Sequence, residues 1–368
     1  MRFNQWLENI AVYEAGKPIE EVVRKFGIKE EDIIKLASNE NPYGSSPKVI
    51  ESIKQNSTKA SVYPDDSMLD LKNALATKMN ISVENLIIGA GSDQIIEFCL
   101  AAKINPQSKI LIARTTFAMY EIYAKHFGTE VIKTPSHQHN LQEFLQYYHQ
   151  YKPDVIFLCA PNNPIGECLD SADIVDFIAQ INNDTLVVID GAYQEFAAHK
   201  DVKKKIEPNT LIQSFSNVLY LGTFSKAYGL GGMRVGYGIS SQEIIQALYK
   251  VRPPFNTTTL SLVAAIAALQ DHAFALQGIE NNFKQMRHYE EFAQEMDIEF
   301  IPSYTNFITF VLKEPHDSTL ICEYLLQKGV IIRNLKSYGM NAVRITIGTQ
   351  EQNLKVLRLL RDIFEARG

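Results

Sequence analysis

Between about residues 83 and 240, short apolar, β-branched runs alternate with amphipathic stretches. The runs are N-L-I-I-G (85–89), K-I-L-I-A (109–113), D-V-I-F-L-C (154–159), T-L-V-V-I-D (185–190), V-L-Y-L-G (218–222) and R-V-G-Y-G-I (234–239). Strands that are apolar at nearly every position must be covered on both faces, and the helical segments between them supply the cover. The pattern predicts an α/β fold with a mostly parallel sheet. Several runs end directly in polar or glycine-rich turns: G-A-G-S-D, A-P-N-N-P, D-G-A-Y and T-F-S-K. Ligands of open α/β sheets gather at the carboxyl ends of the strands. Four motifs distant in sequence are therefore expected to meet in one crevice.

After about residue 260 the pattern changes. A helical stretch over 272–296 leads to a strand (306–311), a helix (320–328), two strands around V-I-I-R and A-V-R-I-T-I, and a last helix. In that helix Leu357, Leu360 and Phe364 share one face. We read a large domain over 46–265 and a smaller α+β domain over 266–368, with 1–45 packing beside the latter or across a partner subunit.

The charge balance narrows the function classes. A net charge of −6 with dispersed basic residues leaves no nucleic-acid footprint. Cys99, Cys159, Cys168 and Cys322 lie far apart, without metal or redox spacing, as expected in a reducing compartment. The eight histidines show no ligand pattern, and His137 and His139, in S-H-Q-H-N, are expected to be solvated. The first residues hold no apolar run of signal-peptide length, and the apolar helix near 260–269 is too short to span a bilayer. The expectation is a cytoplasmic protein with no membrane, nucleic-acid or metal partner.

The richest chemistry lies at 223–238, T-F-S-K-A-Y-G-L-G-G-M-R-V-G-Y-G. Lys226 sits there among hydroxyls and glycines, with Arg234 eight residues on. A nearby fixed cation disfavours an ammonium, and a neutral amine is what a Schiff base requires. Thr223, Ser225 and Arg234 are groups that hold a phosphate. Together they suggest a site for pyridoxal 5′-phosphate (PLP). A dinucleotide fingerprint does not fit G-L-G-G-M-R-V-G, because Arg234 stands at the third glycine position.

Each remaining motif has two readings. Asp190 can pair with the pyridine nitrogen of PLP and keep the ring an electron sink, or it is a strand-end cap. Tyr193 and Asn163 can hold the ring's phenolic oxygen; the plainer alternative for Asn163 is an Asn-Pro turn. Ser92 and Asp93, where G-A-G-S-D enters a helix, offer backbone amides to a phosphate, or merely cap that helix. Phe117 can stack on the ring or belong to the core. Arg344, inside an apolar strand, needs an anionic partner if buried. Arg333 is a candidate anion ligand or a strand-end ion pair.

The order and spacing of these motifs resemble the fold-type I, class II-like aminotransferases that use PLP. The resemblance narrows to histidinol-phosphate aminotransferases through L-A-S-N-E-N-P-Y-G (36–44), V-Y-P-D (62–65), G-S-D (91–93), F-S-K-A-Y-G-L-G-G-M-R-V-G-Y (224–237), R-P-P-F-N (252–256), T-N-F (305–307) and V-R-I-T-I-G (343–348). It implies the aspartate-aminotransferase-like fold of PLP-dependent transferases. It also implies that Lys226 binds the cofactor covalently and moves the proton, and that Asp190, Tyr193 and Asn163 hold the ring. Thr223, Ser225, Arg234 and the amides of Ser92 and Asp93 would hold the phosphate, and Phe117 would stack. Tyr63 would reach that phosphate from the other subunit of a homodimer.

By the same resemblance, Arg344 would take the amino acid's carboxylate, and Tyr13, Arg333 and Arg344 the phosphate of histidinol phosphate. The chain departs from the family in D-G-A-Y and N-P-I-G, where D-E-A-Y and N-P-T-G are usual. The implied reaction is transamination between L-histidinol phosphate and 2-oxoglutarate in histidine biosynthesis. A related phospho-amino-acid decarboxylase, or an aminotransferase for another phosphorylated or aromatic substrate, shares the pattern. A non-catalytic PLP-binding regulator is set aside by the acidic balance and by a pattern that already begins near residue 13.

Overall fold

The computed structural model describes residues 4–10 and 19–365. A two-residue strand, β1 (Ile34–Lys35), opens the ordered core. The large sheet follows: β2 (Leu86–Gly89), β3 (Lys109–Ile112), β4 (Glu130–Lys133), β5 (Val155–Cys159), β6 (Leu186–Asp190), β7 (Val218–Thr223) and β8 (Gly236–Ser240). Their spatial order is β2-β8-β7-β6-β5-β3-β4. All neighbours run parallel except β8, which is antiparallel to both β2 and β7. The six anticipated strands form to within two residues at their ends. The seventh, β4, is an edge strand whose E-V-I-K sequence carries only one buried residue, Ile132, so its apolar signal is weak.

Both faces of this sheet are covered, as the continuous apolar runs require. Ile156 and Leu158 of β5 enter one hydrophobic cluster, while Val155, Phe157 and Cys159 enter the other. Alternation across the pleat sends neighbours to opposite layers. Each such side chain contributes about 1.5–3 kcal/mol when removed from water. The apolar helix Thr259–Leu269 packs on helix Pro47–Asn56, its first turn closed by the Thr258 hydroxyl accepting from Ser261 N. Among the described residues no single helix is long and apolar enough to cross a membrane.

A second, antiparallel sheet follows the long helix His272–Glu295. It comprises β9 (Glu299–Ile301), β10 (Phe307–Val311), β12 (Arg333–Asn334) and β13 (Ala342–Thr346), in the order β12-β13-β10-β9. Between them β11 (Val330–Ile331) pairs in parallel with β1, fastening the N-terminal segment to this layer. Its own core includes Ile308, Phe310, Ile345 and Leu360, with Phe364 buried and Leu357 half-buried on the expected face of the last helix. Arg333 stands directly opposite Arg344 in the register of β12 and β13. Cross-strand partners share one face of a sheet, so both guanidinium stems leave the same side.

Candidate active site

The carboxyl ends of β5, β6 and β7 deliver Asn163, Asp190 and Lys226 to one cavity of about 400 Å³. Ser92, Asp93, Phe117, Tyr193, Thr223, Ser225 and Arg234 line it as well. The start of helix Ser92–Lys103 closes one end. The four separated turns therefore do converge.

Lys226 is enclosed. Its Nζ donates to the Ser38 carbonyl at 3.2 Å and lies 5.7 Å from the centre of the Tyr193 ring. Burial and then the Arg344 cation draw its pKa down to about 8; Glu40 opposes them and Arg234 adds less. Sequence reading assigned the neighbouring cation to Arg234. The structure gives that part first to burial, then to Arg344, 118 residues away along the chain, which only the tertiary fold brings near.

Asp190 is 3% exposed. Its Oδ2 accepts from the Tyr120 hydroxyl at 2.7 Å and its Oδ1 from Ala192 N at 3.0 Å. Burial raises its pKa against the lowering effect of those two donors. It does not cap a helix, since the next one begins at Gln194 after Tyr193. Tyr120 was not singled out in the sequence, although T-F-A-M-Y places it one helical turn beyond Phe117. It stacks on Phe157 with centroids 4.4 Å apart and meets Phe117 edge-on at 5.6 Å.

Arg344, 7% exposed, donates through Nη1 to Asn163 Oδ1 at 2.6 Å and through Nη2 to the Ala37 carbonyl at 2.6 Å. An arginine can only donate, so the Asn163 oxygen faces it and the amide nitrogen is left to donate elsewhere. Asn39 Nδ2 donates to the Tyr193 hydroxyl at 2.7 Å, which frees the phenolic proton for another acceptor. Asn39 and Ser38 were missed as site residues; both lie in L-A-S-N-E-N-P, a stretch quoted only for its resemblance.

At the other end Arg234 adopts a left-handed backbone (φ 53°) and donates to the carbonyls of Gly231 (3.1 Å) and Ala90 (3.3 Å). Ser225 N and the Thr223 hydroxyl bond each other's side chains. Gly91 (φ 81°) is the residue before the helix, and a Cβ there would lie 2.7 Å from Arg234 Nη2. A Cβ on Gly236 would lie 2.3 Å from Ser92 N. Glycine is thus what lets three backbones and a guanidinium surround one small space. Neither Ser92 nor Asp93 caps its helix; Asp93 Oδ2 accepts from Tyr123, while Oδ1 is buried without a partner.

These features fit PLP. A cup of donors suits its phosphate, a buried carboxylate suits its ring nitrogen, two donors suit its phenolic oxygen, and a low-pKa amine suits its aldehyde.

Other expectations fall differently. Tyr63 is 79% exposed and stacks on Phe255 at 4.7 Å, away from this cavity. Arg333 is half-buried and lines a separate, adjoining cavity. Tyr13 lies outside the described residues. His139 is buried, not solvated: its Nδ1 meets Glu167 at 2.9 Å and its Nε2 accepts from Cys159 N. A polar loop sequence hid this because its partner, Glu167, comes 28 residues later. The two family departures also have causes. At Gly191 a Cβ would lie 2.4 Å from the Tyr220 hydroxyl, and Ile165 is fully buried against Ile301, Leu335 and Ala342.

The fold and site define a PLP-type transferase, and the comparisons place it. The profile of the family "Aminotransferase class I and II" matches residues 31–360, and the chain belongs to that family. Within it, the chain is 61% identical to the histidinol-phosphate aminotransferase of Campylobacter fetus subsp. fetus, covering 98% of this chain and 99% of that one. It is 58% identical to that of Aliarcobacter butzleri, over 99% of this chain and all of the relative. The crystal structure of histidinol-phosphate aminotransferase from Sinorhizobium meliloti in complex with pyridoxal-5'-phosphate shares the fold, with a TM-score of 0.90 at 24% identity. That match covers 100% of this chain and 98% of that one.

Proposed function

We infer that this chain transfers an amino group between L-histidinol phosphate and 2-oxoglutarate, giving imidazole-acetol phosphate and L-glutamate, and that it works in both directions as a cytoplasmic enzyme of histidine biosynthesis. One observation carries the reading: a partly buried lysine with its pKa drawn down to about 8 shares a cavity with a buried carboxylate and a cup of donors that suits a phosphate. The kinship reported above selects the substrate.

When bound, PLP supplies an aldehyde for the incoming amine and an electron sink for charge developing at Cα. The chain supplies the rest. Lys226 Nζ, whose pKa is drawn down to about 8 and so is more readily neutral than an exposed lysine, would take the proton from the substrate's Cα and act as the general base and acid. Asp190 would hold the ring nitrogen protonated, its charge fixed in place by Tyr120. Asn163 Nδ2 and the Tyr193 hydroxyl would orient the ring from the opposite edge. Arg234, Thr223, Ser225 and the amides of Ser92 and Asp93 would anchor the phosphate. Arg344 would take the carboxylate of glutamate, and Arg333 with Arg344 the phosphate of the alternative substrate.

We propose that a second copy completes the site through Tyr63. Its ring, with Val62 and Phe255, forms an exposed apolar patch, and it cannot serve the cavity of its own chain from there. We propose the division into a large domain at 46–265 and a smaller one at 266–368 with 1–45; the two sheets lie on either side of it, although Ala275, Ile279 and Phe307 join the large sheet's cluster.

The functional test is a single turnover of the loaded enzyme with L-histidinol phosphate, L-glutamate and L-phosphothreonine, without keto acid. Conversion by both of the first two supports the reading. Conversion by glutamate alone removes the histidine-pathway substrate. Carbon dioxide released from phosphothreonine moves the protein to the decarboxylases.

A further inference from the structure

His139 carries a buried imidazole with no part in the chemistry at Lys226. Its side chain is wholly enclosed and stacks on Phe144, with centroids 5.6 Å apart. Its Nε2 lies 3.3 Å from Cys159 N, and its Nδ1 lies 2.9 Å from Glu167 Oε1. A backbone N–H can only donate, so Nε2 is the bare nitrogen and Nδ1 carries the proton that goes to Glu167. The carboxylate thus fixes which ring nitrogen accepts.

Both ends of this relay hold the turn that carries Asn163. Cys159 closes β5, stands opposite Asp190 and lines the Lys226 cavity. The next amide, Ala160 N, donates to the Asp190 carbonyl, so Cys159 N–H faces the other side of the strand. There β3 pairs with β5 only as far as Leu111 opposite Ile156, and the imidazole takes over as acceptor where that strand has ended. At the far end Glu167 Oε1 also accepts from His139 N at 3.0 Å and from Asn162 Nδ2 at 2.9 Å. Burial pushes the Glu167 pKa up, but His139 and these donors outweigh it and leave the carboxyl below its ordinary value. Asn162 is fully buried; it donates to the Thr115 carbonyl as well, and its backbone bonds those of Glu167 and Gly166. Asn163 is the next residue.

We propose that His139 and Glu167 are positioning residues: their relay fixes the end of β5 and the turn 160–167, and so holds the Asn163 amide for the phenolic oxygen of PLP. Neither side chain lines the Lys226 cavity. The proposal rests on that role of Asn163 and not on which amine is the substrate.

The experiment follows the visible absorption of the PLP-loaded enzyme against pH, which reports ionisation of the ring's phenolic group. It compares the wild type with Asn163→Ala, His139→Asn and His139→Gln. An asparagine nitrogen stands where Nδ1 stood and still donates to Glu167, but it leaves Cys159 N–H without an acceptor. A glutamine oxygen reaches the place of Nε2 and can accept from that N–H. A donor to the ionised oxygen lowers the midpoint, so Asn163→Ala should raise it by about half a unit to one unit. His139→Asn should raise it by roughly half as much or more, and His139→Gln should lie closer to the wild type. Thermal midpoints of the cofactor-free proteins separate lost packing from lost position. A purely structural role would lower those thermal midpoints and leave the absorption midpoint where it is. That result, or equal absorption shifts in the two His139 variants, overturns the proposal. If Asn163→Ala itself moves nothing, the role of Asn163 fails first and the proposal falls with it.

Discussion

The inner cavity, at Lys226, and the outer one, which adjoins it across Phe117, differ in how their polar groups are satisfied. In the inner one each key group has a named partner: Asp190 has Tyr120, Asn163 has Arg344, and Tyr193 has Asn39. In the outer one, among the described residues, Lys125 and Lys133 share Glu121 and Arg114 holds only a long bond to a carbonyl. A preorganised constellation acts on the bonds that every substrate shares, whereas loosely held side chains outside it do not. Inner substitutions should therefore lower all amines together, and outer ones should not.

The largest effect is expected for Lys226→Ala. One amine both binds the cofactor covalently and moves the proton, so rates with glutamate and L-histidinol phosphate should fall together by at least about 10⁴-fold in single-turnover assays. A loss confined to one amine would break the comparison. Asp190→Asn should follow, with a fall of roughly 10²–10³-fold for both amines, because a preorganised charge at the ring is removed. Its absorption spectrum should change as well, reporting loss of the ring proton.

Tyr120→Phe sharpens the contrast further. It leaves Asp190 in place but deletes a hydrogen bond to a buried carboxylate, worth about 1.5–3 kcal/mol. Rates should drop about tenfold or somewhat more for every amine alike, with the thermal midpoint lowered. Gly191→Ala should have the smallest catalytic effect. Its Cβ would press on Tyr220, costing about 1–3 kcal/mol of stability by overpacking. Tyr220→Ala in the same chain should return part of that loss, as a double-mutant cycle followed by denaturation would read.

The inner cavity was the legible one. Strand ends announce themselves locally, since an apolar run stops at Asp190 or at Thr223 and the chemistry follows within four residues. Lys226, Asp190, Tyr193, Asn163, Phe117, Thr223 and Ser225 could all be read in this way, and Arg234 by its spacing of eight residues from Lys226. What stayed hidden depends on pairs far apart in sequence. Arg344 meets Asn163 across 181 residues, and Asn39 meets Tyr193 across 154. No local pattern encodes those contacts. The antiparallel placement of β8 was equally silent, because a strand's own sequence does not state its direction.

The central claim is that the fold lowers the pKa of the Lys226 amine through burial, with Arg344 reinforcing it. The direct measurement is the ¹³C NMR titration of the cofactor-free enzyme with lysine labelled at the ε-carbon, the resonance being assigned by its absence in Lys226→Met. The predicted midpoint is about 8. Because the unfolded chain would then hold that proton up to about 10.5, the wild type should gain stability relative to Lys226→Met as pH rises from about 8 to 10.5. Replacing Arg344 with Gln should move the midpoint upward. A midpoint near 10.5, with no difference in pH-dependent stability, would contradict the claim.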